Sequence, residues 1–146
     1  MITIKNEKKM ACFMNHILYG LHLFTQKFEP VVYHNGKVSY NAMLAKKFFL
    51  LMLMNYLLCI SYSFMSLINM ETTQTLFRNS VYKIIYFSII IVLSLILEYY
   101  WFEKDEKEEK YYWKFASKPD REHFKWKLMA WGLFIFSIVY IILLII

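Results

Sequence analysis

The stretch FFLLMLMNYLLCISYSFMSLIN, residues 48–69, decides the fold. It carries no charged residue, and about 20 consecutive apolar residues are enough to cross the hydrocarbon core of a bilayer as a helix. Two further stretches read the same way: VYKIIYFSIIIVLSLILEYYWF at 81–102 and WKLMAWGLFIFSIVYIILLII at 126–146. Backbone groups in hydrocarbon must pair within their own segment or in a closed barrel. Long continuous apolar runs, with only 3 glycines and 2 prolines in 146 residues, favour helices over a barrel's short alternating strands. The 59% hydrophobic content also exceeds the roughly 45–50% of a soluble domain. The expected fold is therefore an all-α membrane protein with three transmembrane helices. The aromatic run Tyr99, Tyr100, Trp101 and Phe102 is expected as an interfacial belt at the end of the second helix.

Outside these spans, residues 10–24 place Met10, Phe13, Met14, Ile17, Leu18 and Leu21 at helical spacing. Lys9, Asn15, His16, Tyr19 and Gln26 fall on the other side. This predicts an amphipathic helix lying in the membrane interface or packed on the bundle, or else a short fourth span. A cleaved signal peptide is disfavoured, because Asn15, His16, Gly20 and His22 interrupt the segment and no small-x-small site follows. Pro30 ends the helix. Asn35-Gly36, between β-branched and aromatic residues, then predicts a hairpin or plain turn over 31–40. Asn41 is a candidate cap for the first transmembrane helix. The chain divides into an N-terminal part, 1–47, and a transmembrane bundle, 48–146.

Charge sets the expected orientation. Seven Lys or Arg residues precede Phe48, eight lie within 103–127, and only Arg78 lies between the first two spans, with Lys83 just inside the second. The positive-inside rule then places the N-terminus and the 103–127 connection in the cytoplasm, and the C-terminus on the opposite side. A bacterial inner membrane is expected, a mitochondrial inner membrane being the alternative. The net charge of +6 flanks apolar runs and fits lipid contact better than nucleic acid, for which no binding motif is present.

Within the connection, Glu103–Lys107 and Glu106–Lys110 are opposite charges at i,i+4 spacing. They predict that the second helix continues beyond the lipid to Ala116. Pro119, with Ser117 and Asp120 as a capping-box-like pair, would start the third helix outside the membrane. The expected result is a projecting helical hairpin over 103–125.

Polar groups inside the spans are the candidate functional residues. Asn55, Cys59, Tyr62, Ser66 and Asn69 are spaced 4, 3, 4 and 3, so they form one face of the first helix. Such a seam either bonds neighbouring helices together or lines a pore shared by several copies. Glu98 is the one carboxylate well inside a span, with Lys125 or Lys127 as its expected partner. His16, Tyr19, Tyr111 and Trp113 are the expected partner-facing cytoplasmic surface.

No His-x-x-x-His pair, Cys-x-x-Cys, phosphate loop or nucleophile elbow is present, so neither a metal site, a cofactor nor catalysis is expected. Cys12 and Cys59 are expected on different levels of the membrane and not bridged. Two functions remain. One is an oligomeric membrane protein forming a channel or pore gated from the cytoplasm, a design shared by analogy with small effectors of bacterial stress or phage defence. The gating signal could include a small cytoplasmic ligand. The other is a non-catalytic accessory subunit of a larger membrane complex, such as a respiratory assembly. The expected partners are the lipid bilayer, further copies and other membrane subunits.

Overall fold

The structure, a computed structural model, describes residues 2–28, 32–34, 37–39, 43–104 and 107–145. Its elements are helix α1 (Ile2–Thr25), strands β1 (Val32–His34) and β2 (Lys37–Ser39), and helices α2 (Met43–Ile68), α3 (Met70–Arg78) and α4 (Ser80–Glu98). A π-helical turn (Tyr99–Glu103) and helices α5 (Lys107–Ala116) and α6 (Asp120–Ile145) complete the chain. Three helices are long and apolar enough to cross a membrane: Met43–Ile68, Ser80–Glu103 and Asp120–Leu143. They mark the chain as an integral membrane protein. The strands pair antiparallel, with Tyr33 opposite Val38. The expected turn at 35–36 and the expected cap Asn41 lie outside the described residues.

α2 is the centre of the bundle, in contact with α1, α3, α4 and α6. α1, α2 and α6 pack on one another, while α4 packs on α2 and α3. The core gathers where α1 crosses the bundle: Ile17, Leu18 and Leu21 meet Ala45, Phe49, Met52, Phe102, Ala130 and Phe134. Towards the other end fewer side chains are buried, chiefly Cys59, Ile90, Ser94 and Ser137. The bundle is thus dense where four elements meet and loose where three helices splay.

The link between the first two spans folds into α3. Asn69 Oδ1 accepts from Thr72 N–H (3.0 Å), a helix N-cap. Glu71 in the first turn and Arg78 in the last suit the helix dipole. Asn79 then caps α4 in the same way, through Val81 N–H (2.9 Å).

The expected continuous extension of the second helix to Ala116 is corrected. The helix widens into the π-turn at Tyr99 and the backbone leaves helical geometry at Lys104 (ψ 122°) before α5 begins. Packing explains the widening. At about 100° per residue, a regular helix would centre Trp101 on the buried face of Ile90 and Ser94. The extra residue of a π-turn moves Phe102 into that place instead. Phe102 is fully buried, edge-on to Phe49 at 4.8 Å. The expected aromatic belt accordingly keeps only Tyr99 and Tyr100 exposed. Exposed i,i+4 pairs contribute only about 0.3–0.5 kcal/mol each and do not hold the helix straight against such burial. Glu103 pairs instead with Lys46 of α2 (3.5 Å), and Lys107 donates to the Tyr100 carbonyl (3.0 Å).

α5 and α6 both pack on α1, and they meet each other where His123 Nε2–H donates to the Phe115 carbonyl (2.9 Å). Ser117 closes α5 by donating to the Lys114 carbonyl (3.0 Å) and does not form a capping box with Asp120. The Pro119 carbonyl accepts from Glu122 N–H (2.9 Å) at the start of α6.

Candidate functional site

Two groups of polar side chains stand out. The first is built on α1. Asn15, Tyr19, His22 and Thr25 are buried, whereas Met10, Phe13 and Phe24 are exposed. Of the expected polar face, Asn15 and Tyr19 are buried and His16 is half-buried, while Lys9 and Gln26 are exposed; Ile17, Leu18 and Leu21 of the apolar face are buried in the core. Tyr19 is only 4% exposed, ringed edge-on by Tyr112, Phe115 and His123 at 5.6–5.7 Å. Burial, with Tyr112 adding to it, pushes its hydroxyl pKa up to about 12, so it stays neutral.

His16 is held between two rings. Its centroid lies 3.6 Å from Phe115 of α5 and 4.2 Å from Trp126 of α6, with interplanar angles of 30° and 29°. Its Nδ1–H donates to the Cys12 carbonyl (2.9 Å), and Cys12 Sγ lies 3.7 Å from the same nitrogen. Burial lowers the imidazole pKa below its ordinary value; Lys118 and Lys114 add to this, while the Cys12 hydrogen bond and Glu122 oppose it. The neutral ring is favoured. One turn before it, Asn15 Nδ2 donates to the Trp101 carbonyl and to the Ala11 carbonyl, both at 2.8 Å. Asn15 thus supplies a donor to a carbonyl of the widened turn, where the regular helical ladder is broken. Of the expected surface residues, Trp113 is exposed, His16 and Tyr111 are half-buried, with Tyr111 stacked on Phe115, and Tyr19 is buried. Burial raises the Tyr111 hydroxyl pKa, with Cys12 adding to the shift.

The second group is the α2 seam. Asn55 and Cys59 are buried within this single chain. Asn55 Nδ2 donates to Ser137 Oγ of α6 (3.4 Å), which donates on to the Phe134 carbonyl (2.7 Å). Beside it, Tyr56 O–H donates to the Leu133 carbonyl (2.9 Å). Further along, Ser63 and Tyr140 hydroxyls meet at 3.2 Å, and Ser61 bonds to Tyr86 of α4. These bonds join α2 to both neighbours. Tyr62 packs edge-on to Phe77 of α3 at 5.1 Å, and Ser66 is half-exposed. Asn69 leaves the seam to cap α3.

Glu98 is half-buried and engaged within the chain. Lys125 places its ammonium 5.8 Å from the Trp126 ring centroid. Cys12 and Cys59 are free thiols.

One close contact was not expected from the sequence. A Cβ on Gly20 of α1 would strike the Trp126 carbonyl oxygen of α6, and would lie 2.8 Å from Ala130 Cβ. Gly20 and Ala130 let two backbones cross closely, the role small residues play at helix crossings in lipid. The signal was present as a lone glycine in an otherwise good helix.

Comparison with family models, curated proteins and solved structures yields no match to this chain.

Proposed function

We propose that this chain is a non-catalytic membrane subunit that works by lateral assembly, with α4 as the helix that receives the neighbouring subunit. The observation that carries the reading is how little of α4 is covered. Only 11% of its apolar window is buried, against 22% for α2 and 17% for α6. Its outer face runs Val81, Ile85, Ile89, Val92 and Ile96, all exposed. A shallow groove lined by Ser88, Ile89, Val92, Leu93 and Ile96 sits on that face. A small residue such as Ser88 lets a second helix approach and offers it a hydroxyl. The first neighbour to test is another copy of the chain. The N-terminus and the α5 region face the cytoplasm in this reading, supported by the lysine-rich flanks. α1 belongs at that interface as the clamp that holds α5 and α6.

The test is crosslinking in native membranes through a cysteine at Ser88→Cys, in a background with Cys12 and Cys59 replaced by serine. A crosslinked species, either a dimer of the chain or an adduct with one other membrane protein, is expected. Single-step photobleaching of the labelled chain in bilayers, with no crosslink at position 88, would sink the proposal.

A pore lined by the α2 seam is the second reading. It is favoured by Tyr62 and Ser66, which stay partly open at one end of that face. Ion flux through liposomes that is altered by Asn55→Leu supports it; no flux from the wild-type protein rejects it.

A further inference from the structure

Where the bundle splays, an open groove of about 470 Å³ lies over α2 between α4 and α6. Leu58, Cys59, Tyr62, Lys83, Phe87 and Ile141 line it. Its size falls in the range of about 300–1,000 Å³ usual for small-molecule sites. A second cavity, of about 180 Å³, adjoins it and shares Phe77, Lys83 and Tyr86. The combined lining is apolar and aromatic with a single charge, that of Lys83.

The position of that charge is the informative feature. At about 100° per residue, Lys83 shares a helix face with Tyr86, Phe87, Ile90 and Ser94. Ile90 and Ser94 are buried, so this is the packing face of α4. A lysine that only reached for surrounding headgroups would belong on the outer face with Ile85, Ser88 and Val92. Among the described residues, no carboxylate lies within ion-pair distance of Lys83. Lys83, itself exposed, thus borders an apolar groove, and the described residues supply no carboxylate within ion-pair distance of it.

We propose that this groove binds one anionic phospholipid of the bilayer. Its phosphate sits on the Lys83 ammonium, and one acyl chain lies along Leu58, Phe87 and Ile141. Charge complementarity selects the headgroup, and the apolar lining selects the chain. The bound lipid fills the gap between α4 and α6 that no side chain fills.

The test is native mass spectrometry of the full chain in mild detergent with phosphatidylglycerol and phosphatidylcholine of identical acyl chains. One phosphatidylglycerol per chain is expected, retained about fivefold over phosphatidylcholine, the preference one lysine gives for an anionic lipid. Lys83→Gln should bring the two lipids to parity, and Lys83→Arg should keep the preference. Ile141→Trp, which fills the groove, should release both lipids. Equal retention by the wild-type chain would overturn the proposal, as would a preference that survives in Lys83→Gln. Displacement of the phospholipid by palmitate at equal concentration would overturn its assignment as the occupant. Should Lys83→Gln lose its helical circular dichroism, Lys83→Arg and Ile141→Trp decide alone: a lost preference in the first, or bound lipid in the second, refutes the site.

Discussion

At the residue scale, Gly20 and Asn15 do the most to position α1. Two effects of opposite sign act on Gly20→Ala. Alanine favours a helix over glycine by about 1 kcal/mol. The added methyl, however, meets the backbone of Trp126 and the Cβ of Ala130, and overpacking of this kind costs about 1–3 kcal/mol. Because the obstacle is backbone, the second effect should win, and Gly20→Ala should lower the thermal unfolding midpoint in detergent. A raised midpoint would show that the crossing is not close. Gly132, also on α6, has open space where its Cβ would be, so Gly132→Ala serves as the control that should not destabilise.

At the element scale, the π-turn and α1 depend on each other. The turn brings Phe102 onto Phe49, and the Trp101 carbonyl accepts from Asn15. Removing that donor leaves a carbonyl short of a partner in a largely buried place, at a cost of about 1–3 kcal/mol. Asn15→Ala should therefore loosen α1 and the π-turn together, seen as faster hydrogen exchange at both. Asn15→Asp should be at least as damaging, since a carboxylate cannot donate. Loss of protection in α1 alone would separate the two elements and refute the coupling. The α2 seam acts on the same scale. Bonds such as Asn55 to Ser137 contribute about 0.6 kcal/mol on average, so several together, not any one, hold α2 against its neighbours.

At the scale of the whole molecule, His16 links three helices, and its titration should be felt across all of them. Burial lowers its folded pKa below the unfolded value of 6.5. The unfolded chain therefore binds the proton more readily, and the stability His16 contributes is complete above pH 6.5. It is lost as pH falls from there through the lowered folded pKa. The α1–α5–α6 clamp should open to proteolysis more readily at pH 5 than at pH 7.5, and His16→Gln should remove the His16 part of that dependence. Greater protection at pH 5 would mean that attraction of the imidazolium to the Phe115 and Trp126 faces dominates instead. The end of the bundle built around α1 would respond to such a change.

The sequence by itself determined the three spans, because hydrophobicity over about 20 residues is a local property that no packing detail can reverse. It also placed Asn55 and Cys59 on one helix face, whereas the caps at Asn69 and Asn79 and the close crossing at Gly20 were not read from it. Only the tertiary structure decided which surfaces those features meet. Asn15, His16 and Tyr19 of α1 are covered because α5 and α6 supply rings for His16 and Tyr19, and the π-turn supplies the Trp101 carbonyl for Asn15. The expected straight extension of α4 bends because burying Phe102 outweighs a few exposed ion pairs. Of the α2 seam, Asn55 meets α6 through Ser137, while Tyr62 packs on Phe77 of α3 and Asn69 caps α3. Each of these choices depends on a partner far along the chain, and helical periodicity carries no information about which partner that is.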